Sequence, residues 1–283
     1  METRIARVAA SVLEPVHIVC YFQPEVERYL AAIGLRPGRM VYYAARAAPM
    51  GAVGAGVVAA TFYNFNPEKI ARNIPRAWTL ATPSDVIAAR LAAVDAAMVR
   101  LLGEDGCQSQ EILELSELAR TAAEACVPEG RPLFAAYADL EWPEKPHLVL
   151  WHASSLLREF RGDGHISALV QAGLPGLAAL QLHVSTGRGF NREFAKVSRG
   201  WSDDQWRASA AALASRGLID GEEKITDAGR KLRSEMEAAT DRAAIVPWKV
   251  LGERDTARLI EVGTVVRDRL DAAGANPTGV FAK

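Results

Sequence analysis

This sequence predicts a mainly α-helical protein of two similar lobes with a pocket between them. Three observations predict it. Alanine-rich segments carry apolar residues at helical spacing, while β-branched alternating runs are scarce. Ser84-Asp85 and Ser202-Asp203 read as helix starts, because a serine oxygen caps free amides and acids suit the positive helix end. Gly34, Gly103, Gly173 and Gly217 fall where helices stop on a glycine.

The expected helices run, in order, over 24–33, 38–47, 84–102, 110–125, 148–160, 165–172, 191–197, 202–216, 227–242 and 253–272. A weak internal repeat joins the halves. Leu30-Ala-Ala-Ile-Gly34-Leu35 is echoed by Leu169-Val-Gln-Ala-Gly173-Leu174, and Phe65-Asn66-Pro-Glu68 by Phe190-Asn191-Arg-Glu193. Each copy continues to a tryptophan, Trp78 or Trp201, then to Ser-Asp and a long helix. The connector is Glu141-Trp-Pro143-Glu-Lys-Pro146, with two prolines in six residues. The expected lobes are therefore 1–145 and 146–283. The tail 273–283, rich in Gly, Asn and Pro, is expected to fray.

A hydrophobic fraction of 49% over 283 residues supports a sizeable core, and a net charge of −1 gives no global field favouring nucleic acid or acidic membranes. Cys20, Cys107 and Cys126 form no CxxC pair, which argues against a disulfide framework or a zinc site. No apolar signal core is read at the N-terminus, and no apolar run is read as reaching the ~18 residues a bilayer requires. No membrane partner and a reducing, cytoplasmic home are expected.

Residues 191–197, a turn at Gly200 and residues 202–216 form a helix-turn-helix pattern. Gly217-Leu218-Ile219, the tip Gly221-Glu222-Glu223-Lys224 and Thr226-Asp-Ala-Gly229 follow. This segment, about 188–242, resembles the helix, wing and closing helix of the MarR-type winged-helix family, and the resemblance implies that fold. Nucleic acid is not the expected partner. Asp203 and Asp204 stand where a reading helix would face phosphates, and the wing tip is acidic. Arg188, Arg192, Lys196 and Arg199 are the counter-argument.

The stretch from Trp151 to His165 carries the functional reading. It holds two His, two Arg, one Glu and one Asp within residues 152–165, between apolar flanks. His152, Ser155 and Glu159 share a helix face. Gly162 and Gly164 are read as a turn, with Asp163 capping the helix that starts at His165. Arg158 and Arg161 would fork onto a carboxylate or phosphate. His152 or His165 would move protons, oriented by Glu159 or Asp163. A metal site from His152, Glu159, Asp163 and His165 matches no ligand spacing, and two arginines oppose a cation, so neither metal nor cofactor is expected. The bland alternative is a cap, an ion pair and a core histidine.

The N-terminal half would supply the opposite wall: His17, Tyr43 and Arg46 on an apolar segment, and Tyr63 and Asn64 in Thr61-Phe62-Tyr63-Asn64-Phe65-Asn66. Glu14-Pro15-x-His17, Arg46-Ala-Ala-Pro49-x-Gly51, Thr61 to Phe65, Trp151 to His165 and Gly200-Trp201-Ser202 together resemble a group of actinobacterial helix-turn-helix proteins. That group commonly has His where this chain has Phe160, so residue 160 carries no essential proton chemistry if the role is shared. The resemblance implies a fold and no reaction.

The expectation is a small-molecule-binding helical protein, an acid/base enzyme of specialised metabolism acting on an anionic or polar substrate. His152, Glu159, Asp163 and His165 would be catalytic. His17, Tyr43, Arg46, Tyr63, Asn64, Arg158 and Arg161 would bind the ligand. The alternative is a MarR-like ligand-responsive transcription regulator. A homodimer is left open.

Overall fold

The computed structural model describes residues 4–277, 279 and 280. They form α1 (Ile5–Phe22), α2 (Pro24–Ala32), α3 (Arg39–Ala47), α4 (Ala55–Phe62), α5 (Pro67–Ala71), α6 (Pro83–Leu102), α7 (Glu104–Cys107) and α8 (Gln110–Glu124). The chain continues through α9 (Pro132–Ala138), α10 (Pro146–Gln171), α11 (Gly176–Val184), α12 (Arg192–Arg199), α13 (Asp203–Ser215), α14 (Asp227–Ala243), α15 (Val246–Leu251) and α16 (Glu253–Ala272). The mainly α expectation is met: the described residues form no strand, and an isolated antiparallel bridge joins Ile219 and Ile225.

Local chemistry sets the helix ends. Thr82, two residues before the expected start, caps α6 in a reciprocal box with Asp85, and Ser202 does the same for α13 with Gln205. At the end of α2, Leu35 N donates to Leu30 O at 3.2 Å; at the end of α10, Leu174 N donates to Leu169 O at 3.1 Å. Asn66 and Asn191 cap α5 and α12. These shared ends are all that the internal repeat yields. They do not establish two winged-helix-like lobes: among the described residues the one bridge between named partners, Ile219–Ile225, lies in the C-terminal half.

The central helix is α10, which packs on α8, α1, α9, α6 and α14. One large core takes residues from α1 to α9, from the first half of α10 and from 244–275. It therefore spans both sides of the expected boundary at 145/146. A smaller core, including Leu169, Leu174, Leu182, Leu213, Ile219 and Met236, holds the winged-helix unit together. Helices α10 and α14 reach both cores, Leu169 and Met236 in the smaller, Phe160 and the α14 cap residue Ala244 in the larger.

Two expectations change here. Residues 148–172 were read as two helices broken at Gly162 and Gly164, yet α10 is continuous. Gly164 serves close packing instead: a Cβ there would lie 2.7 Å from Arg131 Nη1 and 3.2 Å from Ala243 Cβ. Helix α1 was missed because Pro15 reads as a break. It spans 18 residues at mean hydropathy 1.4, long and apolar enough to cross a membrane by length and composition. Half of it is buried in this fold, where it packs on α16 and α10. The tail is also more engaged than expected. Ala275 is buried and its carbonyl accepts from Gln23 Nε2 at 2.7 Å, while Asn191 N donates to Val280 O. Residues 278 and 281–283 of that tail lie outside the described residues.

Candidate functional site

The winged-helix unit is built as its sequence pattern implies. Gly200 ends α12 in the left-handed region at φ 80, and Gly200 N and Trp201 N both donate to Lys196 O. Thr226 Oγ1 accepts from Gly229 N at 3.1 Å to start α14. Gly229 must be a glycine, since a Cβ would overlap Leu218 O. The bridge between Ile219 and Ile225 is the wing.

Two of the bases that would face DNA are already taken. Arg192 pairs with Glu223 at 2.8 Å, and Lys196 with Asp203 at 2.5 Å and Glu193 at 3.0 Å. The outward residues of α13 include Asp203, Asp204, Arg207, Ala208, Ala211, Ala212 and Ala214, a face with little to hold a phosphate.

A cavity of about 500 Å³ lies between the large core and the winged-helix unit. Helices α1, α3, α4, α10, α11, α12 and α14 all contribute to its wall. Six arginines line it: Arg7, Arg46, Arg158, Arg161, Arg199 and Arg233. The lining carboxylates are Glu14, Asp163 and Glu237. Phe62, Tyr63, Phe65, Leu157, Ile166 and Leu180 supply apolar surface.

Behind the lining sits a buried ion cluster. Arg46 Nε and Nη2 donate to Glu159 Oε1 and Oε2 at 3.0 and 2.8 Å. Arg158 Nη1 donates to both oxygens at 3.0 and 3.1 Å. Burial alone would push the Glu159 carboxyl up; the guanidiniums of Arg46 and Arg158 outweigh it and hold the group far below the usual carboxylate range. Arg46 also lies over the Phe62 ring at 4.5 Å.

Arg199 has no such partner. Its guanidinium lies 4.5 Å from the Phe65 ring centroid and 5.4 Å from that of Phe190. Nη1 donates to Ser198 Oγ, and Nε is buried with no hydrogen-bond acceptor. No carboxylate among the described residues pairs with it. Burial lowers its pKa, and the nearby positive charges of Arg46 and Arg158 push the same way, against Tyr42 and Tyr43.

The far end of the cavity is more nearly balanced. Arg161 pairs with Glu237 at 3.1 Å and Asp241 at 3.2 Å, Arg7 with Asp241 at 2.7 Å, and Arg233 with Glu237 at 3.4 Å. His165 Nδ1 meets Thr240 Oγ1 at 2.9 Å, and that hydroxyl in turn donates to Met236 O at 2.8 Å.

The expected site residues divide accordingly. Arg46, Tyr63, Asn64, Arg158, Arg161, Asp163 and His165 reach the cavity wall. Glu159 stands behind it. Asp163 does not cap its own helix: Oδ2 accepts from Leu133 N at 3.0 Å and Phe134 N at 2.9 Å, closing the start of α9. His152 points away and packs edge-on against Trp142, with ring centroids 4.7 Å apart. His17 is buried beside Ser155 at 2.9 Å. Tyr43 is sealed in the core at 1% exposure, and its neighbour Tyr42 lines the cavity instead. Tyr42 sits four residues before Arg46 on the same face of α3, a spacing that offers it as readily as Tyr43. Glu159 thus has both oxygens committed and Asp163 has Oδ2 committed, and the four residues read as catalytic do not converge. Among the described residues no group of three or more His, Cys, Asp or Glu is placed to hold a metal ion.

The loop after α4 ties this cavity to the helix-turn-helix turn. Tyr63 adopts φ 47, unusual for a non-glycine residue, and its hydroxyl donates to Leu174 O at 2.7 Å. Trp201 Nε1 donates to Asn64 O at 2.9 Å, Asn66 N to Arg199 O at 2.9 Å, and Asn66 Nδ2 to Gly200 O at 3.0 Å.

The sequence profile of a helix-turn-helix family matches residues 6–277. Comparison with curated proteins and with solved structures finds no match.

Proposed function

The chain belongs to the helix-turn-helix family, and on that premise we propose that it is a ligand-sensing protein whose cavity takes an anionic small molecule. The observation that carries this reading is Arg199, a half-buried guanidinium with its Nε sealed and no carboxylate partner, beside Arg46 and Arg158, which share the single acid Glu159. Buried charge is costly unless paired, so an anion supplied by a ligand completes the site. The walls of α12 and α14 make the winged-helix unit the part that responds, and its order of helices and wing resembles the MarR type.

DNA contact as the output has the family in its favour and the paired, acidic face against it. An acid/base enzyme has less support, because both oxygens of Glu159 and Oδ2 of Asp163 are occupied by structural partners. The free thiols Cys20, Cys107 and Cys126 support the expected cytoplasmic home.

The test is thermal unfolding of the full chain with octanoate, phenylbutyrate and octyl phosphate. At least one should raise Tm by several degrees, and the shift should vanish in Arg199→Met. No shift with any of the three, or a shift that survives Arg199→Met, would overturn the reading.

A further inference from the structure

The cavity runs lengthwise along α10. Arg158 and His165 both line it and stand seven residues apart on one continuous helix, which places them ~10 Å apart along the axis. Between them Gly162 leaves a patch of bare backbone in the wall, beside Arg161 and Asp163. A Cβ there would meet only Glu159 Oε2, at an ordinary 3.6 Å, so the space above it is open. Leu157 and Ile166 flank this gap on α10, and Phe62 lines the same cavity.

The hydrogen bonds of His165 fix its tautomer. The single hydroxyl proton of Thr240 goes to Met236 O, four residues back on α14. Thr240 Oγ1 therefore accepts from His165, and the ring proton sits on Nδ1. Burial, ahead of the opposing pull of Glu237, pushes the ring's pKa down. Nε2 is then a bare acceptor. No described group donates to it, and it is not among the sealed, unpartnered atoms of the interior. It opens to the cavity that the residue lines.

We propose that the ligand is elongated, with its anionic group at Arg158 and Arg199 and, ~10 Å along α10, a hydroxyl or N–H group that donates to His165 Nε2. An apolar body lies over Gly162. This rests on the anion-binding reading above and narrows it to a chemical class: an amphiphilic anion whose far end bears a hydrogen-bond donor.

The experiment is calorimetric titration of the full chain with a matched pair, octanoate and 8-hydroxyoctanoate. The hydroxy acid should bind about tenfold tighter, the worth of one hydrogen bond to an otherwise unmet acceptor. His165→Phe should bring the two acids to parity without weakening octanoate. Thr240→Val, which frees the tautomer while leaving the ring, should narrow the gap, and it decides the matter if His165→Phe does not fold. If octanoate binds and the hydroxyl adds nothing, the inference is overturned while the anion pocket stands. If neither acid binds, or both bind Arg199→Met as well as the native chain, pocket and inference fall together.

Discussion

Asp163 Oδ2 accepts the main-chain N–H of Phe134 at 2.9 Å, so a carboxylate in the middle of α10 closes the first turn of α9 from across the core. Leu133 N shares the same oxygen, which leaves neither amide orphaned. Asp163→Ala should cost about 1–3 kcal/mol, the range for stranding buried donors at a helix start. Urea unfolding measures it. A loss below about 0.5 kcal/mol would show that α9 does not depend on this cap.

Glu159→Gln removes the one acid shared by Arg46 and Arg158 and leaves two buried guanidiniums facing each other. The expected loss is roughly 3–5 kcal/mol. Combining it with Arg46→Met should recover part of that loss, because the variant no longer buries an unmatched pair of cations. Strict additivity of the two changes in chemical denaturation would contradict the shared-acid arrangement.

Gly162 offers a way to close the cavity without touching a charge. Gly162→Ala should raise stability by up to about 1 kcal/mol, the ordinary gain in a helix interior. Gly162→Leu should fold and yet lose the ligand-induced rise in Tm. Retention of that rise would place the ligand elsewhere.

Four histidines are held neutral by burial, His152 and His183 with values lowered to about 4, His17 and His165 also lowered. Each folded value lies below the unfolded one, near 6.5, so the unfolded chain binds more protons between them. Stability is therefore full above pH ~6.5 and falls as pH drops toward about 4, His152 alone contributing up to about 3 kcal/mol. Urea midpoints from pH 8 to 4 should show this slope, and His152→Phe, which keeps the contact with Trp142, should flatten it. A stability independent of pH over that window would rule the account out.

The winged-helix face should bind duplex DNA weakly, with a shallow dependence on salt. Asp203→Asn and Glu193→Gln together with Glu223→Gln free Lys196 and Arg192. Non-specific affinity should then rise, and the slope of log K against log salt should steepen by about two. A steep slope in the native chain would mean that other bases reach the backbone.

Helix content and the winged-helix unit were legible because they rest on local signals: the Ser202 capping box, Gly200, and Thr226 with Gly229. The 151–165 block announced the ion cluster by packing charge between apolar flanks. Its roles were not legible, since they depend on contacts far away in sequence. Glycines at 162 and 164 look identical to a helix break until Arg131 and Ala243 are seen against Gly164. Asp163 looked like the cap of its own helix because the amides it serves lie some 30 residues earlier. Arg199 read as one of four surface bases, and only the turn of α12 toward Phe65 takes it inside.

Helices α10 and α14 each run without interruption from the large core into the winged-helix unit. A body carried on two rigid legs cannot swivel freely, as one on a flexible linker can. The loop after α4 ties it a third time, through Asn66 N to Arg199 O and Trp201 Nε1 to Asn64 O, and the cavity lies between that tie and the two helices. A molecule lodged there works as a wedge whose thickness sets the angle of the whole unit, so ligand girth should tune the output in a graded way.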